Sequence, residues 1–178
     1  MQEQPTIFDA DPGRLHGAPL EAGRVELVVR RPAVDVREVV DEARLDPQLG
    51  LVGDRWSNRD MAATPAYLSA QVTLIGTRVL AAIEPDRARW PLAGDQLYVD
   101  LDLSVENLPA GTRLAVGSAV VEVSDTPHTG CGKFGARFGG DALRWINSIE
   151  GRAQRRRGLN ATVVEGGIVR PGDAIRKA

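Results

Sequence analysis

The chain has 178 residues, a formal net charge of −2, 19 glycines, 11 prolines and a single cysteine. That charge balance gives no overall pull toward nucleic acid or lipid headgroups, and no apolar run approaches the roughly 18 residues that span a bilayer. One cysteine excludes an internal disulfide framework, and with only His16 and His128 beside it a closed Cys/His zinc site is excluded too. The opening MQEQPTIFDADPG is polar and acidic, without the basic-then-apolar order of a secretion signal, so a reducing, cytoplasmic location is expected.

In chain order, residues 1–20 read as a loosely ordered arm and residues 21–178 as one domain. GRVELVVRRP (23–32) alternates as a strand that Pro32 stops. DVREVVDEARL (35–45) places Val36, Val39, Val40 and Ala43 on one helical face, with Asp35 and Glu38 spaced like a capping box, which predicts a helix. LGLVGDRW (49–56) ends in a Gly-Asp turn, and SNRDMAATPAY (57–67) reads as an exposed loop. QVTLI (71–75) predicts a strand and TRVLAAI (77–83) a short helix.

QLYVDLDL (96–103) alternates strictly, with Leu97, Val99, Leu101 and Leu103 on one side. TRLAVGSAVVEVSD (112–125) reads as a hairpin about Gly117-Ser118. DALRWINSIE (141–150) predicts a helix with Asp141 as N-cap and Ala142, Trp145, Ile146 and Ile149 on its buried face. The run RRR (155–157) reads as a solvated loop, with phosphate binding as the alternative. NATVVEGGIVRPGDAIRK (160–177) closes the chain as strand, Gly-Gly turn, strand, Pro-Gly turn, strand. Many short strands with few helices favour a small barrel over a doubly wound sheet, so the fold class is mainly β with a few peripheral helices.

The stretch SDTPHTGCGKFGARFGGDALRW (124–145) reads as a loop that carries chemistry. Cys131 lies between Gly130 and Gly132, with His128 three residues before it and Lys133 and Arg137 after it. Thiolate is the nucleophile and the soft metal ligand, and positive charge or a helix dipole lowers a thiol's pKa. Five glycines between 128 and 140 let backbone amides approach an anion. The competing reading is a buried cysteine acting as a small hydrophobe, but glycines on both sides fit a core position poorly. His128 can equally serve to hold the loop, and Phe134 and Phe138 read as packing.

In order and content, ENL (106–108), L-x-V-G (114–117), P-x-T-G-C (127–131) and the tail RGLNATVVEGGIVRPGDAI (157–175) resemble the MOSC domain, the C-terminal domain of molybdenum-cofactor sulfurases. The likeness runs over about residues 23–176 and implies a β-barrel of the kind also seen in the pyruvate-kinase barrel, with peripheral helices. It implies that Cys131 matches the family's key cysteine, which either ligates molybdenum or carries sulfur as a persulfide. It further implies molybdenum cofactor (molybdopterin) binding, with Cys131 and His128 as catalytic residues and Cys131 as metal ligand. Arg55, Lys133 and Arg137 would hold the cofactor phosphate, Thr129 and Gly130 would bind the cofactor from the loop, and Asn107 would bind it and order the site. Relatives such as the mitochondrial amidoxime-reducing proteins imply a small reductase of N-hydroxylated compounds served by a redox partner. The alternative is a metal-free sulfur carrier with a cysteine desulfurase as partner. A further alternative is a non-catalytic binding module. Pyridoxal phosphate belongs to the family's desulfurase domain, which these residues do not contain, so the chain is expected not to strip sulfur itself. No counterpart of the extra N-terminal domain of the reductases is expected in these residues. Small-molecule substrate, and neither nucleic acid nor membrane, is the expectation for its partners.

Overall fold

A computed structural model describes Phe8, Leu15, residues 17–58 and residues 64–178. The strands are β1 (Ala22–Arg30), β2 (Glu38–Val39), β3 (Ala43–Asp46), β4 (Gly50–Leu51), β5 (Val72–Gly76), β6 (Leu97–Asp100), β7 (Arg113–Val116), β8 (Ala119–Val123), β9 (Leu159–Glu165), β10 (Gly167–Val169) and β11 (Ala174–Lys177). The helices are α1 (Pro65–Leu68), α2 (Thr77–Ile83), α3 (Gly132–Phe138), α4 (Gly140–Asn147) and α5 (Ile149–Ala153), with 3-10 turns at Arg55–Asn58 and Arg87–Ala93. Strands β11-β7-β8-β9-β5-β6-β1 hydrogen-bond in that order, and β1 pairs back onto β11, so the sheet closes into a barrel. The β5–β6 pair is parallel, with α2 in the connection; its flanking pairs β5–β9 and β1–β6 are antiparallel. Strands β10-β3-β4 form a small side sheet, and β2 lies on β1.

Alternation decides which side chains fill the barrel. Leu97, Val99, Leu101 and Leu103 all join one interior cluster with Val25, Leu74, Leu114 and Val121. Tyr98, on the opposite face of β6, is buried as well, because a second apolar layer covers the barrel there. That layer is built from Trp90, Phe134, Ala142, Trp145 and Ile146, and it seats α3 and α4 on the outside of the barrel. The 112–125 hairpin forms as its sequence predicts, with Gly117 in the left-handed region at φ +55°.

Four expectations are corrected. Residues 35–45 are not a helix: Val39 pairs with Val29, Glu38 bonds Arg30, and Asp35 has φ +59°, which no helix N-cap adopts. Val36 and Val39 are exposed while Ala43 and Leu45 alternate inward on β3, a strand pattern that the β-branched valines also favour. The run 155–157 is not solvated: Arg156 and Arg157 are buried, and Arg155 donates to the carbonyls of Leu103 and Leu108. The 141–150 helix breaks at Ser148, whose extended backbone starts α5 and leaves Ile149 exposed, and Asp141 sits in the first turn of α4 after an N-cap at Gly139. Finally, 57–67 is only partly loop, since Thr64 caps α1 and Tyr67 stacks on Trp56 with ring centroids 5.0 Å apart. Residues 59–63 of that segment, His16 and most of the arm at 1–20 lie outside the described residues.

Candidate functional site

The cysteine segment leaves the barrel after β8 and becomes helical at Gly132, so its glycine-rich half is α3 and the loop proper is 124–131. Cys131 is the N-cap residue, extended at φ −115° and exposed to solvent. The nearby backbone amides of Phe134 and Lys133 and the positive charge of Arg157 favour the ionised sulfur more than burial opposes it, and pull the thiol pKa below its ordinary value, although the side chain makes no N-cap hydrogen bond. Lowering comes first from amide donors and then from Arg157, rather than from the side chains of His128, Lys133 or Arg137.

His128 supplies no charge at neutral pH. Burial, and then the neighbouring Arg157, push its pKa down to about 4, against the opposing pull of Asp95. Its Nδ1 stands 3.6 Å from Asp95 Oδ1, and both atoms are buried without a hydrogen-bond partner, as is Nε of Arg157. Asp95 Oδ2 accepts from Arg157 Nη1 at 2.6 Å, and Arg157 Nη2 donates to the Ala93 carbonyl at 2.9 Å. The same guanidinium lies over the Phe134 ring, 5.1 Å from its centroid, which ties the barrel to the first turn of α3.

A second arginine is fixed beside the first. Asp54, fully buried at the end of the GLVGDRW stretch, accepts three bonds from Arg31, and Arg31 Nη1 reaches the Gly94 carbonyl at 2.9 Å. Arg31 and Arg157 therefore grip the 93–95 segment from two sides and aim Asp95 at His128. Arg37 and Arg55 join this group: burial, Arg137, Arg31 and Arg55 push the Arg37 pKa down.

Among the residues expected from the sequence, the fold brings Cys131, His128, Lys133, Arg137 and Arg55 into this neighbourhood. Thr129 is exposed on the loop. Gly130 gives both its backbone groups to Asn147, its N–H to Oδ1 at 2.9 Å and its carbonyl to Nδ2 at 3.0 Å. A Cβ there would fall 2.6 Å from Ile146 Cδ1, so its bareness serves the packing of α4. Asn107 donates to the carbonyls of Leu20 and Asp102, away from the cysteine loop. The sequence reading missed Arg31, Arg37, Asp54, Asp95 and Arg157. Their signals were present but slight: a carboxylate in each of two Gly-Asp dipeptides, and an arginine directly before the glycine at 158.

Chemically, the site offers one exposed thiol whose ionisation its surroundings favour, beside a group of buried charged and polar side chains. Among the described residues no three His, Cys, Asp or Glu side chains converge as a ligand set, and the Cys131 sulfur is the one soft donor the site could offer a metal. A metal bound here would bring its other ligands with it. The unpartnered buried atoms of Asp95, His128, Arg157 and Arg37 fit a large polar group that supplies both donors and acceptors. A separate cavity of about 600 Å³, walled by residues 76–79 and 99–104, Trp145 and Arg155, includes none of the cysteine-loop residues.

Comparison with known proteins agrees with this fold. A family model, the MOSC domain, matches residues 59–176. The YUAD protein of Bacillus subtilis superposes with a TM-score of 0.67 at 17% identity, over 86% of this chain and 94% of that one. YiiM from Escherichia coli gives 0.57 at 21% identity, over 87% of this chain and 69% of its own. YiiM from Geobacillus stearothermophilus gives 0.55 at 15% identity, over 89% and 73%. At these identities the likeness is one of fold. No curated protein matches by sequence. No helix among the described residues is long and apolar enough to cross a membrane.

Proposed function

The chain belongs to the MOSC domain family, a family associated with the molybdenum cofactor, and on that premise we propose that it binds this cofactor with Cys131 as its protein ligand to the metal. The observation that carries the reading is the exposed Cys131 thiol, its pKa pulled down by its surroundings, in one neighbourhood with buried polar atoms that have no partners of their own. Arg37, Arg55, Lys133 and Arg137 would hold the phosphate. Asp95, Arg157 and neutral His128 would meet the polar edges of the pterin. Bound, the cofactor would supply two-electron chemistry of the kind that reduces an N-hydroxylated compound to amine and water, with two electrons from a redox partner and two protons.

The protein's own share is to keep the sulfur ionised, to neutralise the phosphate and to hold an uncharged imidazole beside the reacting groups. The exposure of Cys131 favours a second reading, in which the same thiolate receives sulfur from a cysteine desulfurase and carries it as a persulfide.

Elemental analysis of protein made in a host that synthesises the cofactor, beside Cys131→Ser, tests this. The expected result is about one molybdenum per chain, the one thiolate ligand implying one metal, and its loss in the variant. No molybdenum in the wild-type protein would overturn the metal reading, and a persulfide on Cys131 would then establish the carrier.

A further inference from the structure

Arg37 is a cation that the fold leaves poorly compensated. Its Nε is buried without a hydrogen-bond partner, and its Nη1 donates to the carbonyl of its own neighbour Val36 at 2.9 Å. A Cβ built at Gly94 would lie 3.4 Å from Arg37 Nη2 and 4.0 Å from Arg137 Nη1, so two guanidinium groups meet over one bare residue. Lys133 stands on the same side, one α-helical turn before Arg137. Two of the nearby carboxylates, Asp54 and Asp95, are fully buried and already bonded to Arg31 and Arg157.

A third acid meets this group from the solvent side. Asp35 lies 3.0 Å from Arg137 Nη2 and 4.0 Å from Lys133 Nζ, and its side chain is 63% exposed. It is carried on the turn between β1 and β2, in a left-handed conformation at φ +59°. That turn is lightly held: Val34 and Val36 on either side are exposed, and one local bond, Val36 N–H to the Ala33 carbonyl at 3.2 Å, closes it. Moving it outward exposes little apolar surface.

We propose that the Asp35 carboxylate is an internal counter-ion for Lys133 and Arg137, at the edge of the group that Arg37 shares with Arg137, and that a phosphate-bearing ligand must displace it to bind. The inference rests on the phosphate role given to these cations above, and it adds selectivity to it. A tethered carboxylate competes at high effective concentration, so weak monoanions are turned away while a multiply charged phosphate, which can engage several cations at once, wins.

Titration calorimetry with inorganic pyrophosphate as probe, on the full chain and on Asp35→Asn and Asp35→Gly, tests it. Asn and Gly both accept the left-handed backbone, and thermal unfolding confirms that each variant is folded. Both variants are expected to bind pyrophosphate about 3- to 10-fold more tightly, the size expected when a tethered competitor is removed. Unchanged or weaker binding in folded variants would overturn the proposal, because Asp35 would then be neutral or would position the cations. Absence of pyrophosphate binding in all three proteins would overturn it as well. Pyrophosphate binding with no molybdenum retained would instead sink the cofactor reading and leave this one standing.

Discussion

Asp95→Asn will cost the folded state about 3–5 kcal/mol, the loss typical of breaking one side of a buried ion pair. The carboxylate is fully buried and its partner Arg157 nearly so, with the shortest contact at 2.6 Å. Removing the negative charge leaves a guanidinium in a low-dielectric setting, still fixed by the Ala93 carbonyl and the Phe134 ring. Denaturant unfolding reads the loss. The double variant Asp95→Asn/Arg157→Met is predicted to lose far less than the sum of the two single changes, since it leaves neither charge stranded. A single-variant loss below about 1 kcal/mol, the range of a surface pair, would show that Asp95 and Arg157 do not form one buried unit.

Gly158→Ala will be at least as severe, at more than about 4 kcal/mol or failure to fold. Gly158 has φ +97°, and a Cβ there would sit 2.0 Å from the Leu74 carbonyl oxygen and 3.2 Å from Ile75 Cα. Those are backbone atoms of β5, which is paired to β9 through Leu74 and Leu159, so neither side can yield without opening the barrel. Gly172→Ala is the control: φ is +94° but nothing lies within 4 Å of the added carbon, so the expected cost is the backbone strain alone, about 1 kcal/mol. Equal losses from the two substitutions would mean that strain, and not the close approach of β5, makes Gly158 necessary.

The barrel was legible because its strands alternate cleanly: Leu97, Val99, Leu101 and Leu103 were identifiable as one face without any structure, and they are one wall of the interior. The hairpin at Gly117-Ser118 was legible for the same local reason. The segment 35–45 misled because valines at helical spacing also suit a strand, and the deciding contacts, Val39 on Val29 and Glu38 on Arg30, come from another element.

The run at 155–157 misled for a longer-range reason. Three adjacent arginines look solvated until Asp95, 62 residues away, and the rings of Trp145 and Phe134 are placed beside them. Cys131 stood out because a thiol between glycines is chemically odd in any fold. Its true support was hidden, since amides at a helix start and a distant arginine leave no local motif. The bases close to it in sequence instead face Asp35 or, for His128, stay neutral.

Both metal ligation and sulfur transfer require Cys131 to react as a thiolate. The rate of its alkylation by iodoacetamide, followed from about pH 5 to 10 to bracket the ordinary thiol, measures that directly. Amide donors and Arg157 favour the charged form, so the half-maximal rate is predicted below the free-thiol value of about 8.5, and Arg157→Met is predicted to move it upward. A midpoint at or above about 8.5 in the wild-type protein would contradict the claim that this loop is built to ionise its cysteine.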